Sequence, residues 1–434
     1  MDKMADVLGR AGAWCGQNKY LSAIKNAFQN FMPLTIAGAI GVLWCNVLVN
    51  DQTGLGLFFK PIMALDFLNP AFQAVNFCTI SCITVGITLG IAQEIGVWNM
   101  GAERAGYIPG LVGLAAWLSV TNTSHMVDGA KEAFTGIAGN ELGATGLFTG
   151  MIIGVLSVEL FCFFEKQDAL KIKMPEQVPP GVARAFEVLV PATITLIITA
   201  CIGSACYNLT GLYLNDVIKN GIQGPLGAVG ATIPGVMIIY LVIMLFWLVG
   251  IHGNNMLSAV KEALFTPLAL ENVEAFNKGE TPKNIINMYF LQMCGEFGGS
   301  GVTIGLVIAI MIFGKREDNK AIATLSLVPG LFNINETVTF GIPMVLNPIL
   351  GIPFVVAPLI TIIIGYVLTV IGFCPVACLT VPWTCPPIVF GFLACGANVM
   401  GAVTQAILIV VSTVIYVPFL ISYEKYQNKQ AAEA

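Results

Sequence analysis

The sequence predicts an all-α, polytopic membrane protein, and three observations support this fold class. Hydrophobic residues make up 56% of the 434 residues and charged residues only 10%, whereas soluble domains carry about 25% charged residues. The mean hydropathy is +0.81, so too few polar side chains exist to cover a surface that faces water. The apolar runs are about 18–25 residues long, which is typical of membrane-spanning helices rather than of strands in a membrane barrel.

The elements follow in order along the chain. Residues 1–28 are too polar for a cleaved signal peptide and predict an amphipathic helix at the membrane interface. The regular apolar spans come next, at 31–49, 73–95, 106–121, 142–164, 186–206 and 226–250. Less regular spans follow at 301–314, 352–373 and 399–421. We therefore expect about ten transmembrane helices.

The charges predict the orientation and exclude some partners. Lysine and arginine cluster before the first span, after the fourth and in the C-terminal tail, whereas the loops at 50–72 and 122–141 carry one lysine each. Both termini are therefore expected in the cytoplasm of a bacterial inner membrane, with lipid around the spans. A net charge of −5 argues against a nucleic-acid partner. Scattered cysteines and only two histidines, His125 and His252, predict neither a metal site nor a bound cofactor.

The charged, proline-rich segment 166–183 is the best domain boundary. Spans before it are regular, and interrupted segments come after it. We therefore expect a scaffold domain over 1–180 and a domain with the functional site over 181–434.

Three stretches of the second domain break the pattern of regular apolar spans: 246–257, 294–303 and 332–343. Each combines glycine with polar side chains, and prolines at 343, 348, 353 and 358 exclude one straight helix through that region. Non-helical backbone at membrane depth is tolerated only against protein or beside a water-filled cavity. The three stretches are therefore predicted to surround one hydrated pocket. Its polar candidates are His252, Asn254, Glu296, Asn333 and Glu336.

These residue types suit a neutral sugar. Amide, imidazole and carboxylate groups bind hydroxyls, and the flat faces of Trp247 and Trp383 suit the C–H face of a sugar ring. No arginine occurs in the three stretches, which argues against an anionic substrate. Alternatives stay open for individual residues. Either tryptophan can instead anchor the protein at the membrane interface, His252 can be a structural histidine, and Glu336 can be a proton-coupling carboxylate.

The same stretches carry a family resemblance. The strings GIHGNNML (250–257), CGEFGGSG (294–301) and NINETVTFGIPMVLNPILGIPF (333–354) resemble the membrane component, enzyme IIC, of the phosphoenolpyruvate-dependent sugar phosphotransferase system. The branch is the lactose/cellobiose/diacetylchitobiose family. The resemblance covers essentially the whole chain, including VPPGVARAFEVLVP at 178–191.

The resemblance implies a homodimer formed through the first domain and a sugar site in the second, built with two re-entrant hairpins. It implies that Glu336 and His252 hold the hydroxyl that receives the phosphoryl group. The sugar site would be lined by Trp247, His252, Asn254, Glu296, Asn333, Glu336 and Trp383.

The implied mechanism is group translocation. A cytoplasmic IIB protein, itself served by IIA, phosphorylates the bound sugar from its cysteine. The C-terminal tail is too short for a catalytic domain, so IIB and IIA are expected to be separate chains. We expect a β-linked disaccharide, cellobiose or N,N'-diacetylchitobiose, rather than lactose. The competing functions are an ion-coupled secondary sugar transporter and a membrane sensor that binds sugar without moving it.

Overall fold

The computed structural model describes residues 10, 13–14, 17–51, 55–125, 134–175, 177–342 and 344–433. Most of the described chain is helical, which confirms the predicted all-α class. The described strands are two residues long each, β1 (Ser124–His125) and β2 (Phe134–Thr135), and they pair antiparallel. Pro343 and most of the predicted amphipathic segment before residue 17 lie outside the described residues.

The α-helices include long apolar helices and short helical turns between them. Those before the proline-rich segment are α1 (Lys19–Leu43), α2 (Asn69–Asn76), α3 (Ile83–Met100), α4 (Ala102–Ala105), α5 (Ile108–Val120), α6 (Gly139–Leu142) and α7 (Ala144–Glu165). The next are α8 (Pro180–Thr210), α9 (Leu214–Ile218), α10 (Gly224–Gly230), α11 (Ile233–Leu248), α12 (Gly253–Met256) and α13 (Ser258–Asn277). The last are α14 (Met288–Gly295), α15 (Ile304–Phe313), α16 (Glu317–Leu331), α17 (Glu336–Gly341), α18 (Gly351–Val370), α19 (Val389–Ala394) and α20 (Val399–Glu433).

Tighter or wider turns interrupt the α-helices at several points. The 3₁₀ turns are Leu55–Leu57, Lys60–Leu68, Asp168–Leu170 and Ser300–Val302. The π-helical turns are Trp44–Leu48, Phe77–Ser81 and Lys219–Gln223.

The chain forms two compact units. One consists of Gln17–Gly38 and Asn76–Gly227. Within it, α3, α5 and α7 pack closely because small residues meet at their contacts. A Cβ on Gly113 would collide with Ala92, and one on Gly150 would collide with Thr88. Such small contacts are typical of helices that associate in lipid.

The other unit contains Ala39–Val75, Ala228–Ala434 and the described part of Met1–Gly16. Its core is one large cluster of buried side chains from α11, α14, α15, α18 and α20, with Trp247, Phe290 and Phe354 among its largest members. Within this unit α17 ends at Gly341 and α18 begins at Gly351. The prediction that no single helix runs through the four proline positions is therefore confirmed.

Helix length and composition agree with a multi-pass membrane protein. Among the described residues, five helices are long and apolar enough to span a membrane, or up to seven when each sharply bent pair counts as one span. One bent pair joins Met288–Val302 to Ile304–Phe313 at an angle of 59°. The shorter apolar helices are α5 and α11.

Candidate functional site

His252 and Glu336 face each other at the ends of two interrupted segments. The backbone leaves α11 through Gly250, whose φ of +80° is in the left-handed region that glycine adopts easily. His252 then caps α12, and its Nδ1 accepts the Asn255 N–H at 3.2 Å. Its Nε2 lies 3.7 Å from Oε1 of Glu336. The side chains are 36% and 46% exposed, so both remain open to a ligand.

The capping bond assigns the tautomer of His252. Because Nδ1 accepts a backbone N–H, a neutral imidazole must carry its proton on Nε2. Nε2 is also the ring nitrogen that lies 3.7 Å from the carboxylate of Glu336. The pair therefore presents one donor and one acceptor to the same small volume.

The indole ring of Trp247 packs against the imidazole of His252. Its ring centroid lies 4.4 Å from that of His252, and Phe340 and Phe354 lie at 6.5 Å and 6.3 Å. The side chain is only 1% exposed, so it belongs to the packed core in this structure. Its contact with a sugar stays a prediction.

The glycine-rich stretch forms a tight tip between α14 and α15. Positive φ values occur at Gly298, Gly299 and Gly301, which only glycine adopts without strain. Ser300 at this tip joins the other two interrupted segments. Its Oγ accepts from Asn254 Nδ2 at 2.8 Å, and its carbonyl accepts from Asn335 Nδ2 at 2.8 Å. The three stretches picked out in the sequence therefore do meet.

Asn333 ties a fourth segment to this cluster. Its φ is +62°, a conformation that asparagine tolerates better than most residues. Its Oδ1 accepts the Gly298 N–H at 2.6 Å. Its Nδ2 donates to the carbonyl of Trp383, and to that of Cys385 at 3.0 Å. Asn333 thus fixes the loop that carries Trp383, whose side chain is 43% exposed.

Glu296 lies in a second charged cluster that sequence reasoning missed. Lys261 forms an ion pair with Oε1 of Glu296, and the Tyr240 hydroxyl donates to the same oxygen at 2.8 Å. Lys261 also donates to Asn254 Oδ1 at 3.4 Å. The Lys261 and Glu296 side chains are 8% and 16% exposed. The sequence does not single out Lys261 and Tyr240, because they lie inside the uninterrupted helices α13 and α11.

Lys261 is buried, which no signal in the sequence marks. Its neighbours Ala259 and Phe265 on α13 are buried, so the lysine needs an ionic partner. Lys261 donates to Asn254, which lies in the helix that His252 caps, so α12 connects the two charged clusters. Within the described ranges, no group of three His, Cys, Asp or Glu side chains is placed to hold a metal ion.

Comparisons with known proteins identify relatives along the full length. Residues 25–358 match the family model "Phosphotransferase system, EIIC". The chain is 32% identical over 429 residues to the PTS system oligo-beta-mannoside-specific EIIC component of Bacillus subtilis (strain 168), covering 98% of this chain and 94% of that protein. It is 30% identical to the PTS system cellobiose-specific EIIC component of Lactococcus lactis subsp. lactis (strain IL1403), covering 98% of each chain.

A solved structure shares the fold. It is the crystal structure of the transporter ChbC, the IIC component from the N,N'-diacetylchitobiose-specific phosphotransferase system. The TM-score is 0.88 and the sequence identity 29%, with 97% of each chain covered. A longer relative is the PTS system lactose-specific EIICB component of Streptococcus mutans serotype c (strain ATCC 700610 / UA159), which is 31% identical with 71% of its length covered.

Proposed function

The chain belongs to the EIIC family of the phosphotransferase system, and on this premise we propose that it is the membrane permease for a β-linked disaccharide. The preferred substrates are cellobiose and N,N'-diacetylchitobiose. Support comes from the specificities in the names of its relatives, which are an oligo-beta-mannoside, cellobiose and N,N'-diacetylchitobiose. The neutral, hydroxyl-binding character of the site residues agrees with such a sugar.

The pairing of His252 with Glu336 is the observation that carries the chemical part of this proposal. A hydroxyl oxygen about 2.8 Å from both Nε2 and Oε1 fits beside their 3.7 Å gap. In that position the hydroxyl accepts from the imidazole Nε2–H and donates to the carboxylate. Glu336 is then the acceptor of the proton, and His252 orients the nucleophile.

The proposed reaction is phosphoryl transfer from a cysteine of IIB to this hydroxyl. An O–P bond forms, the S–P bond breaks, the thiolate stays on IIB, and the hydroxyl proton passes to Glu336. Because the site residues suit a neutral sugar, the charged product binds less tightly and dissociates into the cytoplasm.

The remaining parts of the proposal concern assembly and topology. We place both termini in the cytoplasm, with IIB and IIA as separate cytoplasmic proteins. Near-complete coverage of relatives that are named EIIC alone supports separate partners. Residues 1–180 serve as scaffold and dimerisation domain, and 181–434 carry the sugar with re-entrant hairpins. The 59° bend after Val302 supports one of these hairpins.

Reconstituted vesicles test this function directly. The purified protein is incorporated with phosphorylated IIB on one side and labelled disaccharide on the other. We expect sugar phosphate to accumulate on the IIB side, and no accumulation without the phosphoryl donor. Unmodified sugar accumulating against its gradient under a proton or sodium gradient would instead establish an ion-coupled transporter. Binding without any net movement would establish a sensor.

A further inference from the structure

The two carboxylate oxygens of Glu296 differ in their contacts with the protein. Oε1 takes both the Lys261 ion pair and the Tyr240 hydroxyl bond. Among the residues that the structure describes, Oε2 receives no hydrogen bond. The protein thus holds the carboxylate through Oε1, which leaves Oε2 to accept a hydrogen bond from a ligand.

Lys261 organises a second predicted contact in the same way. Its ammonium group donates to Asn254 Oδ1 at 3.4 Å, while Asn254 Nδ2 donates to Ser300 Oγ at 2.8 Å. The amide is therefore fixed by a partner on each side. One buried cation sets the orientation of two side chains, Glu296 and Asn254, which point from different interrupted segments.

Burying this ammonium group has a cost. An unpaired charge in a low-dielectric interior is strongly unfavourable, and a buried ion pair often adds little to stability compared with apolar side chains of similar size. Packing alone therefore does not explain a lysine at this buried position. An apolar residue at this position could not pair with Glu296 and orient its carboxylate.

Resting on the proposed sugar permease, we propose that Lys261, assisted by Tyr240, is a positioning residue that orients the carboxylate of Glu296 as the acceptor for one donor group of the sugar. A carboxylate only accepts hydrogen bonds. The sugar group at Oε2 must therefore be a hydroxyl or an acetamide N–H. A deoxy or O-methyl derivative at that position lacks the donor and is rejected.

Sugar affinity of the purified full-length protein tests this role, with thermal unfolding measured in parallel. Wild-type protein is titrated first with cellobiose and N,N'-diacetylchitobiose. Lys261→Met is expected to weaken binding by at least about tenfold, since a hydrogen bond to a charged group contributes on that scale. Lys261→Arg restores the charge and is expected to recover most of the affinity. Lys278→Met, which removes an exposed lysine paired with Glu274, is the matched control and should bind normally.

A thermodynamic cycle separates positioning from a merely structural role. Glu296→Gln alone should weaken binding, but in the Lys261→Met background it should weaken binding little further, because the oriented carboxylate is already lost. The double variant also leaves no unpaired buried charge, so it keeps the test valid if Lys261→Met alone does not fold. Tyr240→Phe removes only the hydroxyl on Oε1 and is expected to reduce affinity several-fold in a folded protein.

The outcomes distinguish this inference from the function on which it rests. If wild-type protein binds no β-linked disaccharide, the proposed function fails. If wild-type protein binds sugar while Tyr240→Phe and the folded Lys261 variants bind it equally well, the positioning role is wrong and the permease stands. Lower thermal stability with unchanged affinity would likewise assign Lys261 a structural role only.

Discussion

The Nε2 of His252 and the Oε1 of Glu336 are 3.7 Å apart, although 84 positions separate the two residues in the sequence. This distance exceeds that of a direct hydrogen bond, and both side chains are partly exposed. Each therefore has hydrogen-bonding capacity available to a third group. The fixed tautomer of His252 makes the pair asymmetric, with the imidazole as donor and the carboxylate as acceptor.

Replacing Glu336 by glutamine should abolish phosphorylation of the sugar while leaving the fold intact. The amide keeps the shape of the side chain but cannot take a proton, and loss of a general base reduces rates by about 10²–10⁴-fold. The measurement is single-turnover transfer from phosphorylated IIB. Glu317→Gln is a suitable control, since that side chain is 88% exposed. Wild-type transfer by Glu336→Gln would remove this residue from the reaction.

Two substitutions at His252 separate its two nitrogens. In His252→Asn the amide oxygen can replace Nδ1 as the helix cap, whereas the Nε2–H donor is lost. We expect near-normal thermal stability and strongly reduced phosphorylation. His252→Ala loses both groups and should also be destabilised, because loss of an N-cap costs about 0.5–2 kcal/mol. Equal activity of His252→Asn and wild type would show that only the cap matters.

Asn333 should be essential for the placement of Trp383. Asn333→Asp turns a carboxylate oxygen toward the carbonyls of Trp383 and Cys385, which now accept from Nδ2. The like-charged oxygens should repel, and the loop should loosen. Hydrogen exchange is expected to become faster around residues 383–385 and sugar affinity to fall. Asn333→Gly tolerates the φ of +62° but lacks the amide, so it should show the same loosening without repulsion.

The sequence predicted the interrupted segments well because their composition conflicts with a regular membrane helix. Glycine next to Glu296, and Asn335 next to Glu336, do not fit a continuous apolar span, and the structure brings those stretches together at Ser300. Lys261 could not be found this way. Its helix α13 has an ordinary pattern, and only the tertiary contact with Glu296 reveals what the charge does.

The exact partners of each side chain also depend on tertiary packing. The sequence predicts Asn333 as a sugar contact, and this stays a prediction; the structure adds that both N–H groups of its amide are bonded to backbone carbonyls. Trp247 and Trp383 look equivalent in the sequence, yet one is 1% exposed and the other 43%. Such a difference arises from neighbours that are distant in the chain, here Phe340 and Phe354 around Trp247.

Trp383 should contribute to sugar binding through its ring. Trp383→Ala is expected to weaken affinity, and Trp383→Phe to retain part of it, because an aromatic contact contributes about 0.5–1.5 kcal/mol beyond its buried area. Equilibrium titration with the disaccharide measures both. Trp98→Ala serves as the control, since Trp98 is another exposed tryptophan, at 58%, outside the site. Unchanged affinity in Trp383→Ala would assign the ring to membrane anchoring.

Gly301→Ala should damage the glycine-rich tip more than backbone strain alone predicts. Gly301 has a φ of +79°, and a Cβ there would collide with the ring of Phe354. Gly372 has a similar φ of +77° but has no atom within 4 Å of such a Cβ. Gly372→Ala therefore reports the left-handed strain alone, about 1–2 kcal/mol.

The difference between the two variants isolates the packing at the tip. We expect Gly301→Ala to lower thermal stability further than Gly372→Ala, by about 1–3 kcal/mol for an overpacked core. It should also weaken sugar binding, because Ser300 beside it holds Asn254 and Asn335. Equal stability of the two variants would mean that the Phe354 ring moves aside freely. The tip would then not be the rigid support on which the arrangement of the site depends.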